Sequence, residues 1–301
     1  MEIGMIGLGK MGTNMATRLV EGGHDVYGFD LDQENFNNAI NNGVTGMGSL
    51  EELVSQLKTP RCVWLMLPAG VPTSDTMRKL ETLLAADDVI IDGGNAYYKD
   101  SMARAEHLAA KGIHFLDTGV SGGVWGRSEG YGLMIGGSAE IVARLQPLFE
   151  TLAPAPDHGW IHAGPTGAGH FVKMVHNGIE YGMMQAYAEG FAILKTKQEF
   201  KLDLYQIAEG WRYGTVVRSW LLDLTARALA EDQDFEEIAA WVDDSGEGRW
   251  TVEESIDLAV PAPVISEALY ARFRSRHPTN FADRLLAALR NQFGGHAVKK
   301  Q

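Results

Sequence analysis

The chain begins with EIGMIGLGKMGTNMATRL at residues 2–19, where Gly7, Gly9 and Gly12 follow a short apolar run. The residues after them form an amphipathic pattern with helical spacing, as Met15 and Leu19 illustrate. Such a strand, turn and helix are typical of a dinucleotide-binding unit. In that unit the first glycine permits the tight turn, the second lets the backbone approach a pyrophosphate, and the third allows close helix packing. The loop predicted to bind the cofactor consists of Gly7, Leu8, Gly9, Lys10, Met11 and Gly12.

A carboxylate follows the next predicted strand. DVYGF at residues 25–29 is followed by Asp30, 18 residues beyond Gly12. At this distance an acidic side chain accepts hydrogen bonds from the adenosine ribose hydroxyls and repels a 2′-phosphate. The sequence therefore predicts that the cofactor is NAD rather than NADP. The alternative is that Asp30 only caps the following turn, as aspartate often does.

Short apolar runs alternate with amphipathic stretches up to about residue 162. The predicted strands are EIGMIG, DVYGF, CVWLML, VIIDGG and IHFLDTGV. This alternation indicates βαβ units, and after GPTGAG at residues 164–169 only helical patterns follow. The expected fold class is α/β, with an N-terminal Rossmann-type doubly wound parallel sheet and a C-terminal all-α domain. Residues 1–165 are the expected NAD-binding domain, and residues 166–301 the helical substrate and oligomerisation domain.

The C-terminal half contains several amphipathic segments. Helices are predicted over residues 170–196, 202–211, 216–231, 235–243, 252–260, 264–274 and 281–292. Two of them have recognisable end signals, because Asp234 precedes the fourth segment and Gly294 follows the last.

Composition excludes several classes of protein. With 26 Lys+Arg against 39 Asp+Glu, the formal net charge of −13 argues against a broad surface for nucleic acid or acidic membranes. No apolar run approaches the roughly 20 residues of a membrane span, and no secretory leader follows Met1, so a cytoplasmic protein is expected. Cys62 is the single cysteine, which excludes an internal disulfide, and it is expected to be buried in a strand. His158 and His162 flank a glycine with no carboxylate in register, so no metal site is predicted.

The segment GHFVKMVHNGIEYGMMQ at residues 169–185 carries the predicted catalytic chemistry. Its polar positions lie at i, i+3, i+4, i+7 and i+8, within an arc of roughly 140° on one side of a helix. They are Lys173, His176, Asn177, Glu180 and Tyr181. Because most other positions are apolar or small, we expect a helix packed on most sides whose polar face lines a cleft. The alternative is an ordinary solvated face.

These motifs, taken together, resemble those of short-form, decarboxylating 6-phosphogluconate dehydrogenases within the β-hydroxyacid dehydrogenase superfamily. The resemblance covers nearly the whole chain, and the segment containing Lys173 is its most specific part. The matching motifs are GLGKMG at 7–12, DGGN at 92–95, GVSGG at 119–123, LMIGG at 133–137, GAGHFVKMVHNGIEYGMMQ at 167–185, SEALYAR ending at Arg272 and LRNQFGGH at 289–296.

The resemblance implies an activity of the pentose phosphate pathway and gluconate utilisation. In this reaction 6-phosphogluconate is oxidised at C3 and loses CO2, and the product released is ribulose 5-phosphate. By the same resemblance, Lys173 is the general base and Glu180 the general acid. The implied substrate contacts are Asn95 (also beside the cofactor), Ser121, Gly122, Gly123, His176, Asn177, Glu180, Tyr181, Arg272, Arg290 and His296. The last two belong to a tail that reaches a neighbouring subunit, which implies a homodimer or homotetramer.

The chemistry assigned to Lys173 requires a neutral amine, whereas free lysine titrates near ~10.4. The site is therefore expected to lower its pKa by desolvation in the apolar helix or by nearby cations.

Two departures from the family pattern bear on specificity. Members that use NADP carry Asn-Arg-Thr where this chain has Asp30, Leu31 and Asp32. In addition, DDSGEGRWT at residues 243–251 replaces a phosphate-contacting Lys and Thr, with Ser245 and Glu247 near those positions. The substrate phosphate would then depend on Tyr181, Arg272 and Arg290.

Two other functions fit parts of the sequence. A dehydrogenase of the 3-hydroxyisobutyrate type shares the glycine loop and the lysine, but such enzymes usually have Ser-Thr in place of Gly94 and Asn95. They also lack the combination of His176, Glu180 and Tyr181. A non-catalytic NAD-sensing or scaffold protein would be expected to lose Lys173 or the glycine loop, and this chain has both.

Overall fold

The computed structural model describes residues 1–277, 281–294 and 297–299. The chain forms two compact units, Met1–His176 and Asn177–Gln301. One long helix, Ala168–Thr196, supplies residues to both units.

The first unit is built on an eight-stranded sheet with strand order β3-β2-β1-β4-β5-β6-β7-β8. Neighbouring strands are parallel except for β6 and β7, which are antiparallel. The strands are β1 Glu2–Ile6, β2 Asp25–Phe29, β3 Thr45–Gly46, β4 Cys62–Leu65, β5 Val89–Asp92, β6 His114–Ser121, β7 Gly132–Gly136 and β8 Trp160–Gly164. All five predicted strands are present, and the predicted fold class is confirmed. The short β3 and the glycine-bounded β7 and β8 were not predicted.

Helices cover both faces of this sheet. They are α1 Lys10–Glu21, α2 Gln33–Asn41, α3 Leu50–Gln56, α4 Val71–Leu83, α5 Tyr98–Ala109, α6 Gly126–Glu129, α7 Ala139–Leu152 and the beginning of α8, Ala168–Thr196. Because successive strand residues point to opposite faces, neighbours in sequence lie in different clusters of the core. Trp64 and Ile91 lie in one cluster, whereas Leu65 and Ile90 lie in the other. Cys62 is buried in β4, as predicted.

In the part of the second unit that the structure describes, all regular structure is helical. After α8 come α9 Leu204–Trp211, α10 Trp220–Glu231, α11 Glu247–Asp257, α12 Pro263–Ser275 and α13 Phe281–Gly294. Phe191, Leu204 and Leu222 belong to one small core, and Tyr181 and Leu269 to a second. Within the described ranges, no helix has the length and apolarity needed to cross a bilayer.

The predicted helix over residues 235–243 is wrong, because this segment consists of turns and irregular backbone. Phe235 has φ +53°, a left-handed conformation that cannot begin a right-handed helix. The carboxylate of Asp232 holds this turn by accepting from the backbone N–H groups of Asp234 and Phe235. Ile238 and Trp241 are exposed, so the apolar stripe that suggested a helix lacks the burial that stabilises one.

Two other helices, α10 and α11, begin four or five residues from their predicted starts. The helix α10 begins at Trp220 rather than at residue 216, because the hydroxyl of Ser219 caps it by accepting from the N–H of Leu222 at 3.1 Å. The helix α11 begins at Glu247 rather than at residue 252, directly after Gly246, whose φ is +91°.

Candidate active site

The glycine loop between β1 and α1 has the geometry that a dinucleotide requires. Gly7 has φ +89°, and a Cβ there would lie 2.4 Å from the carbonyl oxygen of Met66. A Cβ on Gly12 would lie 1.9 Å from the carbonyl oxygen of Gly7, whereas one on Gly9 would meet no atom within 4 Å. The first and third glycines are therefore required by packing, and the second leaves open space where a pyrophosphate can approach the backbone. These residues fit a bound dinucleotide.

Asp30 lies just after β2 and contacts the glycine loop directly. One carboxylate oxygen accepts from the N–H of Leu8 at 2.5 Å, and the other accepts from the N–H of Asp32 at 2.8 Å. Asp30 thus braces the loop, while Asp32 is the N-cap of α2. The neighbouring Leu31 is 93% exposed. The segment from Asp30 to Asp32 therefore presents two carboxylates and no basic side chain.

The DGGN motif fixes Asn95 at the carboxyl end of β5. Asp92 is fully buried, accepts from the Arg104 guanidinium at 3.1 Å and accepts from the N–H of Gly94 at 3.2 Å. A Cβ on Gly93 would lie 2.2 Å from the indole nitrogen of Trp64. The turn is thus held by a buried ion pair and close packing, and Asn95 projects from it with an exposed side chain.

Lys173 meets Asn95 across the first unit. The Lys173 Nζ donates to the Asn95 Oδ1 at 2.8 Å. Below Lys173, α8 lies directly on β6, because a Cβ on Gly119 would come within 2.2 Å of the Lys173 Cβ. Ser121 is two residues further along β6 and therefore on the same face as Gly119. The amine of Lys173, the amide of Asn95 and the Ser121 region lie on one side of the unit.

The serine-glycine-glycine loop after β6 is shaped by a buried tyrosine. Gly122 and Gly123 have φ +132° and +52°. A Cβ on Gly126 would lie 2.0 Å from the ring of Tyr131, which is fully buried. Burial raises the pKa of Tyr131 to about 12, so this ring stays neutral and supports the loop.

In the second unit, Tyr181 and Arg272 form a stacked pair. The guanidinium carbon of Arg272 lies 3.7 Å from the centroid of the Tyr181 ring. A Cβ on Gly248 would lie 2.5 Å from this ring, so the backbone of the first turn of α11 also packs against it. The Tyr181 hydroxyl accepts from the N–H of Ser245 at 3.1 Å, and Arg272 donates to the carbonyl of Asp243 at 2.7 Å. A cation is thereby fixed beside the loop that departs from the family pattern.

The segment at residues 243–251 is held in place by the buried carboxylate of Asp244. Asp244 accepts from Arg249 at 2.8 Å and from Arg276 at 2.8 Å, and both guanidinium groups lie over the ring of Phe273. These hydrogen bonds, first from Arg249 and then from Arg276, lower the pKa of Asp244 to about 2. The loop is therefore held by a charged network at neutral pH. Glu247, at the start of α11, is buried.

The other predicted site residues belong to α8, to α13 and to the sequence after α13. Lys173, His176, Asn177 and Glu180 are half-buried on α8, whereas Tyr181 is buried. Arg290 is exposed on α13, and His296 lies outside the described residues. The apolar positions of α8 are unequally covered, because Met174 and Gly178 are buried whereas Ile179 and Met183 are exposed.

Sequence reasoning missed the carboxylate that anchors α8. Asp117 in β6 is fully buried and accepts from the N–H groups of Gly167 and His170 at 2.6 and 2.8 Å. A carboxylate at a helix N-terminus satisfies donors that have no partner within the helix. Asp117 is about fifty residues from α8 in the chain, so local capping rules could not find it. An acidic residue inside the apolar strand IHFLDTGV was the available signal.

A cysteine nucleophile and a bound metal ion are two alternative kinds of chemistry. Burial raises the pKa of the Cys62 thiol to about 12, so this cysteine is not a nucleophile at neutral pH. Among the residues that the structure describes, no three His, Cys, Asp or Glu side chains are grouped so as to hold a metal ion.

Comparison with known proteins covers both units. The sequence profile of the NAD binding domain of 6-phosphogluconate dehydrogenase matches residues 2–162. The profile of the 6-phosphogluconate dehydrogenase C-terminal domain matches residues 169–283.

Full-length relatives carry the same name. The chain is 43% identical over 301 residues to YqeC of Bacillus subtilis (strain 168), provisionally named a 6-phosphogluconate dehydrogenase, with 100% of both chains covered. It is 41% identical to the NAD(+)-dependent, decarboxylating 6-phosphogluconate dehydrogenase of Haloferax volcanii, covering 100% of this chain and 99% of the relative.

A solved structure gives the same result. The 6-phosphogluconate dehydrogenase of Plasmodium falciparum superposes with a TM-score of 0.84 at 30% identity. The alignment covers 100% of this chain and 66% of the longer parasite chain. With both domain profiles matched and the full length of two relatives covered, the chain belongs to the 6-phosphogluconate dehydrogenase family.

Proposed function

We propose that this chain oxidises 6-phosphogluconate with NAD, releasing CO2 and ribulose 5-phosphate. The observation that carries the proposal is the 2.8 Å hydrogen bond between the Lys173 amine and the Asn95 amide. It joins the DGGN turn to the residue best suited to be a base, within the unit that also bears the glycine loop. The relatives' names support the choice of substrate.

Bound NAD would be held by the backbone of the glycine loop and by Asp30, and it would accept the hydride from C3. The open space at Gly9 supports a bound dinucleotide, and the carboxylates of Asp30 and Asp32 support NAD over NADP. A 2′-phosphate would face these carboxylates at a cost of about 1 to 3 kcal/mol, or roughly tenfold to a hundredfold in kcat/KM.

Lys173 would begin the reaction by removing the proton of the C3 hydroxyl. As the C–H electron pair leaves C3 as hydride, the C–O bond becomes a carbonyl and the amine becomes an ammonium. Asn95 supports this role, because its amide oxygen accepts from the amine and so fixes the direction of the nitrogen. Holding a base in this way typically contributes ~10² to 10⁴-fold.

Decarboxylation would follow because the new carbonyl lies β to the carboxylate. The C1–C2 bond breaks, its electron pair moves onto the carbonyl oxygen as an enolate forms, and the Lys173 ammonium stabilises this oxygen. After CO2 has left, the carbon that carried it needs a proton. Glu180, two helical turns further along α8, would deliver that proton and complete ribulose 5-phosphate.

The stacked pair of Tyr181 and Arg272 is our proposed site for the substrate phosphate. The guanidinium is fixed by the ring and by the carbonyl of Asp243, so little side-chain entropy is lost on binding. The N–H of Ser245 lies beside the same hydroxyl. These contacts would take the place of the Lys and Thr that the loop at 243–251 lacks.

We also propose a homodimer or homotetramer in which the tail bearing Arg290 and His296 completes a neighbour's site. The second unit supports this, because α13 exposes Phe281, Leu285 and Leu289 with a spacing of four residues. Ile179 and Met183 on α8 are exposed as well. Exposed apolar side chains that are grouped on one helix in this way support an association site.

A substrate panel tests the proposal against the 3-hydroxyisobutyrate type of activity. The purified chain is assayed with NAD and each of 6-phosphogluconate, gluconate and 3-hydroxyisobutyrate. We expect kcat/KM to be highest for 6-phosphogluconate, and at least ~10²-fold lower for gluconate because a phosphate held by fixed charged hydrogen bonds is lost. Equal or higher kcat/KM with 3-hydroxyisobutyrate would contradict the proposal.

A further inference from the structure

A ladder of contacts joins the beginning of α5 to the beginning of α8. Asn95 meets Lys173 by the 2.8 Å hydrogen bond, and the rings of Tyr98 and Phe171 meet edge to face at 5.2 Å. One turn further along α5, the Ser101 hydroxyl lies 2.7 Å from the His170 Nδ1. Residue numbers rise along α5 as they fall along α8, so the two segments run antiparallel and share successive contacts.

The Ser101–His170 contact is the buried polar member of this ladder. Ser101 is fully buried and His170 is 2% exposed. The Nε2 of His170 has no hydrogen-bond partner in the described part of the chain. Ser101 is therefore the polar contact that fixes the plane of this imidazole. An anchor made in a water-excluded place holds its partners in a single arrangement more strictly than an exposed contact does.

His170 is also tied to the strand below it. Its backbone N–H donates to Asp117 at 2.8 Å, and Gly169 lies so close to β6 that a Cβ would be 2.3 Å from the carbonyl oxygen of Asp117. The first turn of α8 is therefore fixed to the sheet by its backbone. The Ser101 hydroxyl adds the connection from this turn to α5, and hence to the segment that bears Asn95.

We infer that Ser101 is a positioning residue that sets the Asn95–Lys173 distance through His170. Lys173 lies one helical turn after His170, and Asn95 lies two residues before the residue that caps α5. Loss of the buried contact allows α5 to shift along α8. The Asn95–Lys173 hydrogen bond then lengthens first, because the Lys173 side chain is long and Asn95 is exposed. The inference rests on the proposed role of Lys173 as the base.

The first test uses Ser101→Ala with Ser101→Thr as the conservative variant. We expect Ser101→Ala to lower kcat by about tenfold or more, as misplacement of a reacting group does, with KM for NAD unchanged. Ser101→Thr keeps the hydroxyl and is expected to restore most of the rate. Val54→Ala, a buried truncation in α3, is the control for lost stability and should lower Tm without lowering kcat. Equal kcat for wild type and Ser101→Ala overturns the inference.

The second test asks whether Ser101 acts through the Asn95–Lys173 contact. In a double-mutant cycle with Asn95→Ala, Ser101→Ala should cost far less in the variant background than in wild type, because the geometry it controls has already been lost. Additive losses overturn the inference.

A crystal structure of Ser101→Ala gives an answer that does not depend on turnover. A lengthened Lys173–Asn95 contact supports the inference, and a contact retained at 2.8 Å overturns it. If wild type fails to oxidise 6-phosphogluconate, the proposed function fails, and the crystallographic outcome still decides the role of Ser101.

Discussion

The proposed preference for NAD rests on three adjacent side chains after β2. Asp30 holds the N–H of Leu8, Leu31 is exposed to solvent, and Asp32 caps α2 by accepting from two backbone N–H groups. Asp30 and Asp32 thus have structural roles, whereas the side chain of Leu31 faces solvent. A 2′-phosphate would need a cation in the same place, and the chain supplies carboxylates instead.

Changing these residues should shift the preference toward NADP. We expect wild type to favour NAD by roughly tenfold to a hundredfold in kcat/KM, and the triple variant Asp30→Asn, Leu31→Arg, Asp32→Thr to lose or reverse that preference. Thr retains an N-capping hydroxyl, so α2 should persist. The measurement is kcat/KM with each cofactor, and Glu34→Gln, which removes a nearby exposed charge, is the control expected to leave the ratio unchanged. Wild-type kcat/KM that is equal for both cofactors, or higher for NADP, contradicts the account.

Local sequence patterns predicted residues that belong to a single strand, turn or helix. The three glycines, Asp30 and Lys173 follow from spacing within one strand, turn or helix, and each occupies the expected element. Asp117 and Ser101 could not be found in this way, because their partners at 167–170 come from a distant part of the sequence. What they contribute is visible only when β6, α5 and α8 are brought together.

At the scale of elements, hydrophobic periodicity predicted the strands and helices that burial stabilises. The five predicted strands are central in the sheet, where both faces are covered, and their apolar runs are correspondingly clear. The two-residue β3 has too few side chains for a pattern, and the periodic stripe at 235–243 does not form a helix because its apolar residues remain exposed. Apolar residues with helical spacing indicate a stable helix only where they pack against another surface.

Because α8 packs directly on β6, we expect Gly119→Ala to lower both stability and kcat. The new Cβ would collide with Lys173, so α8 or β6 must shift, which we expect to cost about 1 to 3 kcal/mol of stability and ~10²-fold in kcat. Gly190→Ala is the matched control on α8, because a Cβ there meets nothing within 4 Å. It should keep activity and add about 0.5 to 1 kcal/mol of stability. Thermal unfolding and kcat measure both effects, and wild-type kcat in Gly119→Ala would refute this packing argument.

The clamp on the 243–251 loop predicts a pH-dependent contribution to stability. Asp244 has a pKa of about 2 when folded, against ~3.9 for a free aspartate, so its stabilisation is present above the unfolded value and is lost as pH falls toward 2. At pH 7, Asp244→Asn should cost about 2 to 4 kcal/mol, because it leaves two guanidinium groups without their carboxylate.

The measurement is the difference in Tm between wild type and Asp244→Asn from pH 7 to pH 2. The difference should be wide at neutral pH and should narrow below about pH 4. Asp234→Asn, which removes an exposed ion pair with Lys195, should change Tm little throughout. A difference that stays constant down to pH 2 would show that the charge of Asp244 is not what stabilises the loop.

For the whole molecule, the apolar surface of the second unit predicts shared active sites. Co-expression of Lys173→Met with Arg290→Ala should restore activity that neither variant has alone. In a dimer about a quarter of wild-type activity is expected, since half of randomly assorted dimers are hybrids and each hybrid has one intact site. Hybrid dimers that are isolated by differential tagging and remain inactive would contradict the shared site.

The central claim is that Lys173 begins an oxidative decarboxylation, and isotope-coupled turnover tests it most directly. With 6-phosphogluconate labelled at the carboxylate carbon, labelled CO2 and NADH are followed together for wild type, Lys173→Met and Glu180→Gln. We predict equal amounts of CO2 and NADH from wild type. We also predict undiminished NAD binding with nearly complete loss of both products in Lys173→Met, and a large loss of kcat with substrate binding retained in Glu180→Gln. NADH formed without CO2 in wild type, or more than about a tenth of wild-type kcat in Lys173→Met, would contradict the account.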